Sequence, residues 1–399
     1  MEGNTLNPQS NVLLLIEDQF DSSNTHLIQQ IHHLKNNFFG TVIENINFQL
    51  DENVTTIYLT GDILLNKVIH PQVLVIKELS FNYDQNCLVN HVINIGSVPL
   101  NIFNTGVFFP QILSEDNNYF NIIKNNHIFQ QLTESNKQSF AYRLGIYLSP
   151  VQELENGDLK YGLLRCSTNF RESTDNFRDI DHYIVNHIQN LLQPLFSLPF
   201  TLNHVLAQIY QNQKINGKEK KAVIKAHSDK TKDMPRNGLI VFTTFYDIIS
   251  NKKQYEFDGY DIKYKGESIF PRLLFKLKKD VYDKNLKKEF SIPLYPNSVF
   301  AIPLSTNRLY THEIKASKLS IDLIPTRMGY VIRCSNTIGV YKNGTTYIGN
   351  EMIGLHDPSI EETQEIKRLY LKENFYSNII EYPQTYFSLN EGDYKPPRI

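Results

Sequence analysis

The chain has 399 residues, of which 41% are hydrophobic and 12% aromatic, and its formal net charge at pH 7 is −2. This composition is typical of a folded, β-leaning protein and excludes an intrinsically disordered chain. A net charge so close to zero gives no overall attraction for nucleic acid or for an anionic membrane, although it says nothing about local basic surfaces.

Cysteines and apolar segments indicate the cellular compartment. Cys87, Cys166 and Cys334 are widely spaced and form no CxxC arrangement, which argues against a disulfide framework or a zinc knuckle. Apolar runs stay far below the about 20 residues of a membrane span, and the first ten residues do not resemble a signal peptide. We therefore expect an intracellular protein with no membrane partner, placed in the cytoplasm with the nucleus as an alternative.

Residues 1–135 are predicted to form an N-terminal accessory region of unknown role. Apolar residues at helical spacing predict a helix over residues 25–35. Short apolar runs predict buried strands at residues 12–16, 55–59, 73–76 and 92–95. This alternation favours a small α/β or α+β module, and the Asn- and Gln-rich residues 115–138 are predicted to be a linker.

From residue 139 the pattern changes to a series of short strands. Residues 142–148 and 161–164 bracket a polar turn and predict a hairpin, and residues 180–192 predict a helix with one apolar face. Further strands are predicted at residues 205–210, 222–227, 238–245, 298–302, 310–314 and 328–334. Such a succession predicts an all-β sandwich or barrel.

The predicted barrel occupies residues 139–345 and contains a Lys-rich insertion at about residues 250–290. Residues 346–399 are predicted to be a C-terminal extension, helical around residues 361–371 and ending in a Tyr- and Pro-rich tail.

Two histidines and an aspartate predict a metal site. His227 and Asp229 are separated by one residue, so on a strand their side chains point to the same face. His312 ends a later strand signal and could supply a third ligand. Two histidines and one carboxylate form the facial triad that binds non-haem Fe(II) and leaves open positions for other ligands. Taken alone, His-x-Asp also occurs in polar turns, and a single His is often only hydrogen-bonded.

Two arginines strengthen this interpretation. Arg327 and Arg333 are six residues apart and therefore share one face of a strand, with Met328, Tyr330 and Ile332 on the other. Two unpaired guanidinium groups on an inward face would be too costly, so an anion should meet them. A dicarboxylate offers two such groups, while ordinary surface salt bridges are the alternative.

The order His-x-Asp, His, Arg and a second Arg six residues on resembles the AlkB-type branch of the Fe(II)/2-oxoglutarate-dependent dioxygenases. Flanking segments agree with this resemblance: Gln208-Ile209-Tyr210, His227-Ser228-Asp229-Lys230, Asn297-Ser298-Val299-Phe300-Ala301-Ile302, Tyr310-Thr311-His312 and Arg327-Met328-Gly329-Tyr330-Val331-Ile332-Arg333. The resemblance covers residues 198–337, about a third of the chain.

The resemblance implies a mainly β fold with α/β additions, in which a double-stranded β-helix (jelly-roll) oxygenase core carries the N-terminal accessory region. It implies catalytic ligation of Fe(II) by His227, Asp229 and His312. Arg327 and Tyr210, with Gln208 beside them, would hold the far carboxylate of the co-substrate 2-oxoglutarate. Arg333 would lie near its iron-chelating end and take part in catalysis. O2 is the second co-substrate, and ascorbate is the expected reductant in vitro.

Two positions depart from the family pattern. The family's Asn-x-Tyr is Gln208-x-Tyr210 here, and the Asn expected two residues after the first closing arginine is Gly329. Both positions belong to the segments that the resemblance places at the co-substrate.

The sequence alone leaves more than one class of substrate possible. Lys-rich segments at residues 214–232 and 276–288 could bind alkylated nucleic acid, or could be solvated loops. A protein or small-molecule hydroxylase or demethylase is the alternative, and an inactive β-helix binding module is a second one.

Overall fold

The computed structural model describes residues 3–21, 23–45, 52–65, 72–83, 92–133, 140–166, 170–247, 255–349 and 351–399. The helices in these ranges are α1 (Thr25–Asn37), α2 (Tyr119–Asn126), α3 (Asp179–Leu192), α4 (Leu304–Leu309) and α5 (Ile360–Phe375). Within the described ranges, no helix combines the length and the apolar character needed to cross a membrane.

The N-terminal strands are β1 (Asn11–Leu14), β2 (Thr41–Ile43), β3 (Thr56–Asp62), β4 (Val73–Phe81) and β5 (Val92–Ile93). They form a parallel sheet in the order β2-β1-β3-β4-β5. α1 connects β1 to β2, and the Asn24 side chain caps it by accepting from Leu27 N. Every residue of β1 is buried, as expected for a parallel strand covered on both faces. The predicted helix and four strands are confirmed.

The later strands begin with β6 (Leu100–Ile102), β7 (Gly106–Phe109), β8 (Gln130–Thr133), β9 (Phe140–Ser149), β10 (Val151–Glu153), β11 (Leu159–Leu163), β12 (Asp175–Asn176), β13 (His204–Tyr210), β14 (Gln213–Ile215), β15 (Lys218–Lys220) and β16 (Leu239–Tyr246). They continue with β17 (Glu256–Asp258), β18 (Asp261–Tyr264), β19 (Glu267–Ser268), β20 (Arg272–Leu277), β21 (Glu289–Pro293), β22 (Val299–Pro303), β23 (Tyr310–Lys315), β24 (Arg327–Arg333), β25 (Thr337–Lys342), β26 (Thr345–Ile348) and β27 (Ile353–Gly354).

Two facing sheets form the centre of the molecule. The larger has the order β12-β9-β13-β24-β16-β22-β7-β6, with β8 also paired to β9. The smaller has the order β21-β20-β23, and His227 extends it through a bridge to His312. From β13 to β24 the chain passes back and forth between the two sheets. β20 and β21 follow each other within the smaller sheet before the chain returns to the larger one. This winding is a double-stranded β-helix, or jelly roll, and the predicted mainly β fold class is confirmed.

The two faces of the larger sheet bury different clusters. Residues of α2 and α3, such as Phe120 and Ile184, pack on one face. Phe242 on the other face packs against Phe275 of the smaller sheet. Side chains alternate along β24, so Met328, Tyr330 and Ile332 enter the first cluster. Arg327 and Arg333 consequently face the space between the sheets.

The C-terminal extension is anchored to the barrel by a buried arginine. Arg165 Nη2 lies 2.7 Å from Asp233 Oδ1, and its Nη1 donates to the carbonyls of Thr385 and Phe387. β25, β26 and β27 form a further sheet with β10 and β11, in the order β10-β11-β25-β26-β27. The two remaining small sheets are β14-β15 and β17-β18-β19. The predicted helices at residues 180–192 and 361–371 are confirmed as α3 and α5.

Two predicted local structures are wrong. Residues 142–148 and 161–164 do not form a hairpin, because β9 pairs with β13 and β11 pairs with β10 and β25. Residues 222–227 form no regular strand and join the smaller sheet only through the bridge at His227 and a bond from Ile314 N to Ile224 O. In both cases the apolar pattern identified extended chain but not its partner.

The predicted linker and insertion also differ from the structure. Residues 119–133 contain α2 and β8, and β8 pairs with β9; residues 134–138 of the predicted linker lie outside the described residues. Within the predicted insertion, β17, β18 and β19 form a meander, but β20 and β21 are strands of the smaller sheet. These strands were not predicted because the segment is rich in lysine. In β20, Lys276 is exposed, whereas Leu273 and Phe275 are buried. Residues 248–254 lie outside the described residues.

A buried polar cluster ties α2, α3 and β24 together. His127 Nδ1 lies 2.9 Å from Asp175 Oδ2, and His127 Nε2 lies 2.8 Å from Asp181 Oδ2. Tyr330 Oη donates to Asp181 Oδ1 at 2.7 Å. Burial alone would lower the pKa of His127, but the two carboxylates outweigh it and raise this pKa to about 9.

This cluster predicts that stability falls as the pH rises from neutral to alkaline. Because the folded-state pKa of His127 lies above an unfolded value of about 6.5, its contribution is complete below that value and is lost as the pH rises through about 9. The contribution is at most about 3.5 kcal/mol, from about 1.4 kcal/mol per pKa unit. Urea unfolding of the wild type and of His127→Gln at pH 6 and pH 9.5 measures it. The free energy of unfolding of the wild type should exceed that of the variant at pH 6, and the difference should disappear at pH 9.5. A difference independent of pH would contradict a charged His127 in this cluster.

Candidate metal and co-substrate site

The two segments that carry the predicted metal ligands lie side by side. His227 N donates to His312 O at 3.0 Å, and His312 N donates to His227 O at 2.8 Å. One ligand atom from each of His227, Asp229 and His312 lies within 4.8 Å of the others. His227 Nε2 is 3.5 Å and His312 Nε2 is 3.8 Å from Asp229 Oδ1. The three residues therefore converge on one point, and the one-residue spacing predicts this for His227 and Asp229.

Neighbouring groups orient these side chains. His227 Nδ1 lies 2.8 Å from Lys225 O, which favours a proton on Nδ1 and leaves Nε2 free to bind a metal. The backbone of Asp229 exchanges two hydrogen bonds of 2.9 Å with the Asn307 side chain. The His312 ring packs against Phe242 and Phe275, with centroids 5.1 and 5.6 Å away.

The charges of the triad suit metal binding. Burial would raise the pKa of Asp229, but Arg333 together with His227 and His312 holds it well below its usual range. Arg333 Nη2 lies 2.8 Å from Asp229 Oδ2, and both side chains are buried. Burial lowers the pKa of His312 to about 3. An ionised carboxylate and a neutral imidazole are the forms that bind metal ions.

A second positive group lies in the same pocket without a carboxylate partner among the described residues. The Arg327 guanidinium stacks on the Tyr210 ring, with Cζ 3.8 Å from the centroid, and its buried Nη2 makes no hydrogen bond. Tyr210 Oη donates to Gln208 Oε1 at 3.2 Å. A Cβ on Gly329 would lie 3.1 Å from Arg327 Nη1 and 3.3 Å from Tyr210 Cε2. Glycine at 329 thus leaves room for this stack.

All the predicted site residues line one small cavity of about 60 Å³: Gln208, Tyr210, His227, Asp229, His312, Arg327 and Arg333. Leu206, Ile224, Phe242 and Leu294 supply apolar walls. Larger clefts, of about 620 and 680 Å³, lie elsewhere on the described surface. Convergent buried charges, and not size, mark the small cavity as the candidate site.

The structure also adds residues that the sequence did not single out. Asn307 holds the Asp229 backbone, but it lies on α4, whose position relative to Asp229 no local pattern reveals. His204 is the register partner of Arg333 and is fully buried with neither ring nitrogen hydrogen-bonded. Burial and the nearby Arg333 lower the pKa of His204 to about 3. A neutral ring therefore lies next to Arg333 on the neighbouring strand.

Several lysines of the two Lys-rich segments face inward. Lys230 Nζ donates to Tyr370 O at 3.0 Å and Lys278 Nζ to Glu373 O at 2.7 Å, close to the C-terminal end of α5. Lys221 Nζ donates to the carbonyls of Ser317 and Leu319. Burial lowers the pKa of Lys278 to about 8. These lysines dock the C-terminal helix and the loop after β23, and they are not available to bind a polyanion.

The residues present fit the predicted iron and co-substrate. Two imidazoles and one carboxylate form the donor set of non-haem Fe(II) sites. The unpaired Nη2 of Arg327 offers a donor to a carboxylate inside the cavity. A metal ion would also add positive charge beside Asp229, which now forms an ion pair with Arg333.

Comparisons with known proteins find likeness only among solved structures. A scan against protein-family models gives no match, and a search of curated proteins finds no similar sequence. The structure of OsALKBH1 is 12% identical, with 58% of this chain and 96% of that chain covered and a TM-score of 0.34. The α-ketoglutarate-dependent epimerase SnoN from nogalamycin biosynthesis is 10% identical, with 60% and 82% covered and a TM-score of 0.31. Its complex with Fe3+, α-ketoglutarate and nogalamycin RO gives a TM-score of 0.33 at the same identity and coverage. At these values the geometry of the site has to carry the functional assignment.

Proposed function

We propose that this chain is an Fe(II)- and 2-oxoglutarate-dependent dioxygenase. The observation that supports it is the convergence of His227, Asp229 and His312 in one cavity with Arg327, a buried guanidinium with no carboxylate partner among the described residues. His227, Asp229 and His312 would hold Fe(II), and Arg327 would hold the far carboxylate of 2-oxoglutarate. The bound iron would supply the O2-dependent oxidative decarboxylation of 2-oxoglutarate, coupled to oxidation of a substrate C–H bond.

The chain's own side chains would then bind, orient and exclude water. Tyr210 supports the Arg327 guanidinium from one face, which restricts the direction in which it donates. Arg333 keeps Asp229 ionised and positioned. Leu206, Phe242 and Leu294 make the cavity wall apolar, which strengthens the ionic contacts inside it.

Two substrate classes remain candidates. The nucleic-acid hypothesis now rests on the lysines that stay exposed: Lys214, Lys218, Lys220, Lys225, Lys276, Lys279, Lys284, Lys287 and Lys288. A protein or small-molecule substrate needs none of them. Phosphate contacts make affinity fall steeply with salt, so a salt series with single-stranded oligonucleotides separates the two classes. Failure to bind any oligonucleotide at low salt would remove the first.

Turnover of 2-oxoglutarate to succinate tests the proposal. Purified protein with Fe(II), ascorbate and O2 is expected to form succinate, and His227→Ala should lower the rate by at least about 100-fold, because a metal ligand matters more than the orienting groups whose loss costs 10–100-fold. His227 is 32% exposed in its side chain, so its removal should leave the fold intact. His32→Ala, at an exposed histidine of α1, is the matched control and should keep the wild-type rate. Succinate formation that is equal in wild type and His227→Ala would contradict the assigned site.

A further inference from the structure

A second cavity, of about 340 Å³, borders the Arg327 end of the barrel. Tyr246, which lines it, is the register partner of Arg327 on the neighbouring strand. Of the nineteen described residues that line it, eight are Phe or Tyr. They come from α2, from the end of β16 and from the β17–β19 meander with its flanks. We call this space the aromatic cavity.

The tyrosines of the aromatic cavity are held in place by the protein itself. Tyr246 Oη donates to Leu294 O at 2.6 Å, and Tyr255 Oη donates to Leu323 O at 3.2 Å. Tyr260 packs so closely on Gly96 that a Cβ there would lie 2.7 Å from Tyr260 Oη. The polar tips of Tyr246 and Tyr255 are therefore satisfied without a ligand, and the rings are positioned before one arrives. Such preorganisation favours binding because fewer side chains have to be ordered.

Among the described residues, the charges that line the aromatic cavity have one sign. Glu115 and Asp247 are the charged lining residues of the described ranges, and no Lys or Arg of those ranges lines the cavity. Aromatic rings add to this field, because the faces of their π-systems are electronegative. Pairs of rings also meet at its wall, with Tyr119 5.4 Å from Phe245 and Tyr246 4.8 Å from Phe270, centroid to centroid. The cavity therefore favours a positively charged occupant.

We propose that the aromatic cavity binds a small organic cation that carries a methylated ammonium group. Such a group is attracted by Tyr and Phe faces and is apolar enough to leave water, whereas a bare ammonium is more strongly hydrated. Glu115 and Asp247 supply the opposite charge. The volume lies at the lower end of small-ligand pockets, about 300–1,000 Å³, so the ligand is small. This site is separate from the triad cavity, and the proposal does not depend on the iron chemistry.

Isothermal titration calorimetry of the 399-residue protein with choline and with 3,3-dimethyl-1-butanol, its uncharged isostere, tests the proposal. Choline is expected to bind saturably, and the isostere at least about tenfold more weakly, because it lacks the charge on which the cation–π attraction depends. Tyr260→Ala and Asp247→Asn should each weaken choline binding about five- to tenfold. Tyr260→Phe keeps the ring and should keep most of the affinity.

Phe375→Ala is the matched control, since Phe375 is an exposed aromatic residue on α5 and does not line the cavity. It should leave choline binding unchanged. Equal affinity for choline and its isostere would overturn the assignment of a cation, and no saturable binding of either would overturn the site. Choline binding that survives both Tyr260→Ala and Asp247→Asn would place the ligand elsewhere and also overturn the proposal. Should Tyr260→Ala not fold, Asp247→Asn with the two probes decides.

Discussion

Replacing Arg327 with Met is expected to lower the affinity for 2-oxoglutarate about 100-fold while leaving the stability of the fold within about 1 kcal/mol of wild type. A hydrogen bond to a charged group contributes about 1.5–3 kcal/mol, and about 1.4 kcal/mol corresponds to a factor of ten. Stability should change little, because the described residues include no buried carboxylate that pairs with Arg327 and would lose its partner in the variant. Its loss removes a stacking contact with Tyr210 but also an unsatisfied buried nitrogen.

Anaerobic titration of the Fe(II)-loaded protein with 2-oxoglutarate measures this affinity. Arg272→Met is the control, because Arg272 is an exposed arginine of β20 that is bonded to Ser291 outside the cavity. It should bind 2-oxoglutarate like the wild type. Unchanged affinity in Arg327→Met would show that the co-substrate carboxylate is held elsewhere.

Replacing Arg333 with Met should, unlike Arg327→Met, destabilise the fold. The metal-free protein is expected to lose about 3–5 kcal/mol of its free energy of unfolding. Arg333 and Asp229 form a buried ion pair at 2.8 Å, and removing one partner leaves the other charge buried without compensation. A divalent cation in the triad would replace the missing positive charge. Saturating Fe(II) under anaerobic conditions should therefore stabilise Arg333→Met more than it stabilises the wild type.

Urea unfolding of the wild type, Arg327→Met and Arg333→Met, with and without Fe(II), measures both effects. Both arginines are buried on the same strand, so Arg327→Met controls for the loss of a buried guanidinium as such. If the two variants lost equal stability, the ion pair with Asp229 would not be the cause. If Fe(II) failed to narrow the gap between Arg333→Met and the wild type, the metal would not be bound beside Asp229.

The sequence predicts those parts of the site in which the alternation of side chains along a strand decides which face each residue occupies. Along β24 the alternation of side chains separates Arg327 and Arg333 from Met328, Tyr330 and Ile332, and the structure shows this separation. The one-residue spacing of His227 and Asp229 likewise predicts a common face. Their meeting with His312 depends on the pairing of two segments far apart in the chain, which the resemblance, and not the spacing, indicated.

Pairing partners and composition explain the errors. β9 is a strong strand, but its apolar pattern does not reveal that its partner is β13 and not the nearby β11. The Asn-rich composition around α2 concealed Tyr119, Phe120 and Ile123, which are buried at helical spacing. The lysines near the triad indicated a basic surface, yet Lys230 and Lys278 reach carbonyls near the end of α5. Contacts of this kind join segments more than 90 residues apart, and no local signal encodes them.

The absorption spectrum of the anaerobic protein with Fe(II) and 2-oxoglutarate tests the central claim most directly. A metal-to-ligand charge-transfer band in the visible range is expected only when 2-oxoglutarate chelates an iron bound by the protein. We predict this band for the wild type and for His32→Ala, and its absence for His227→Ala. A wild-type protein that is folded and saturated with both additives but shows no band would contradict the iron and 2-oxoglutarate site.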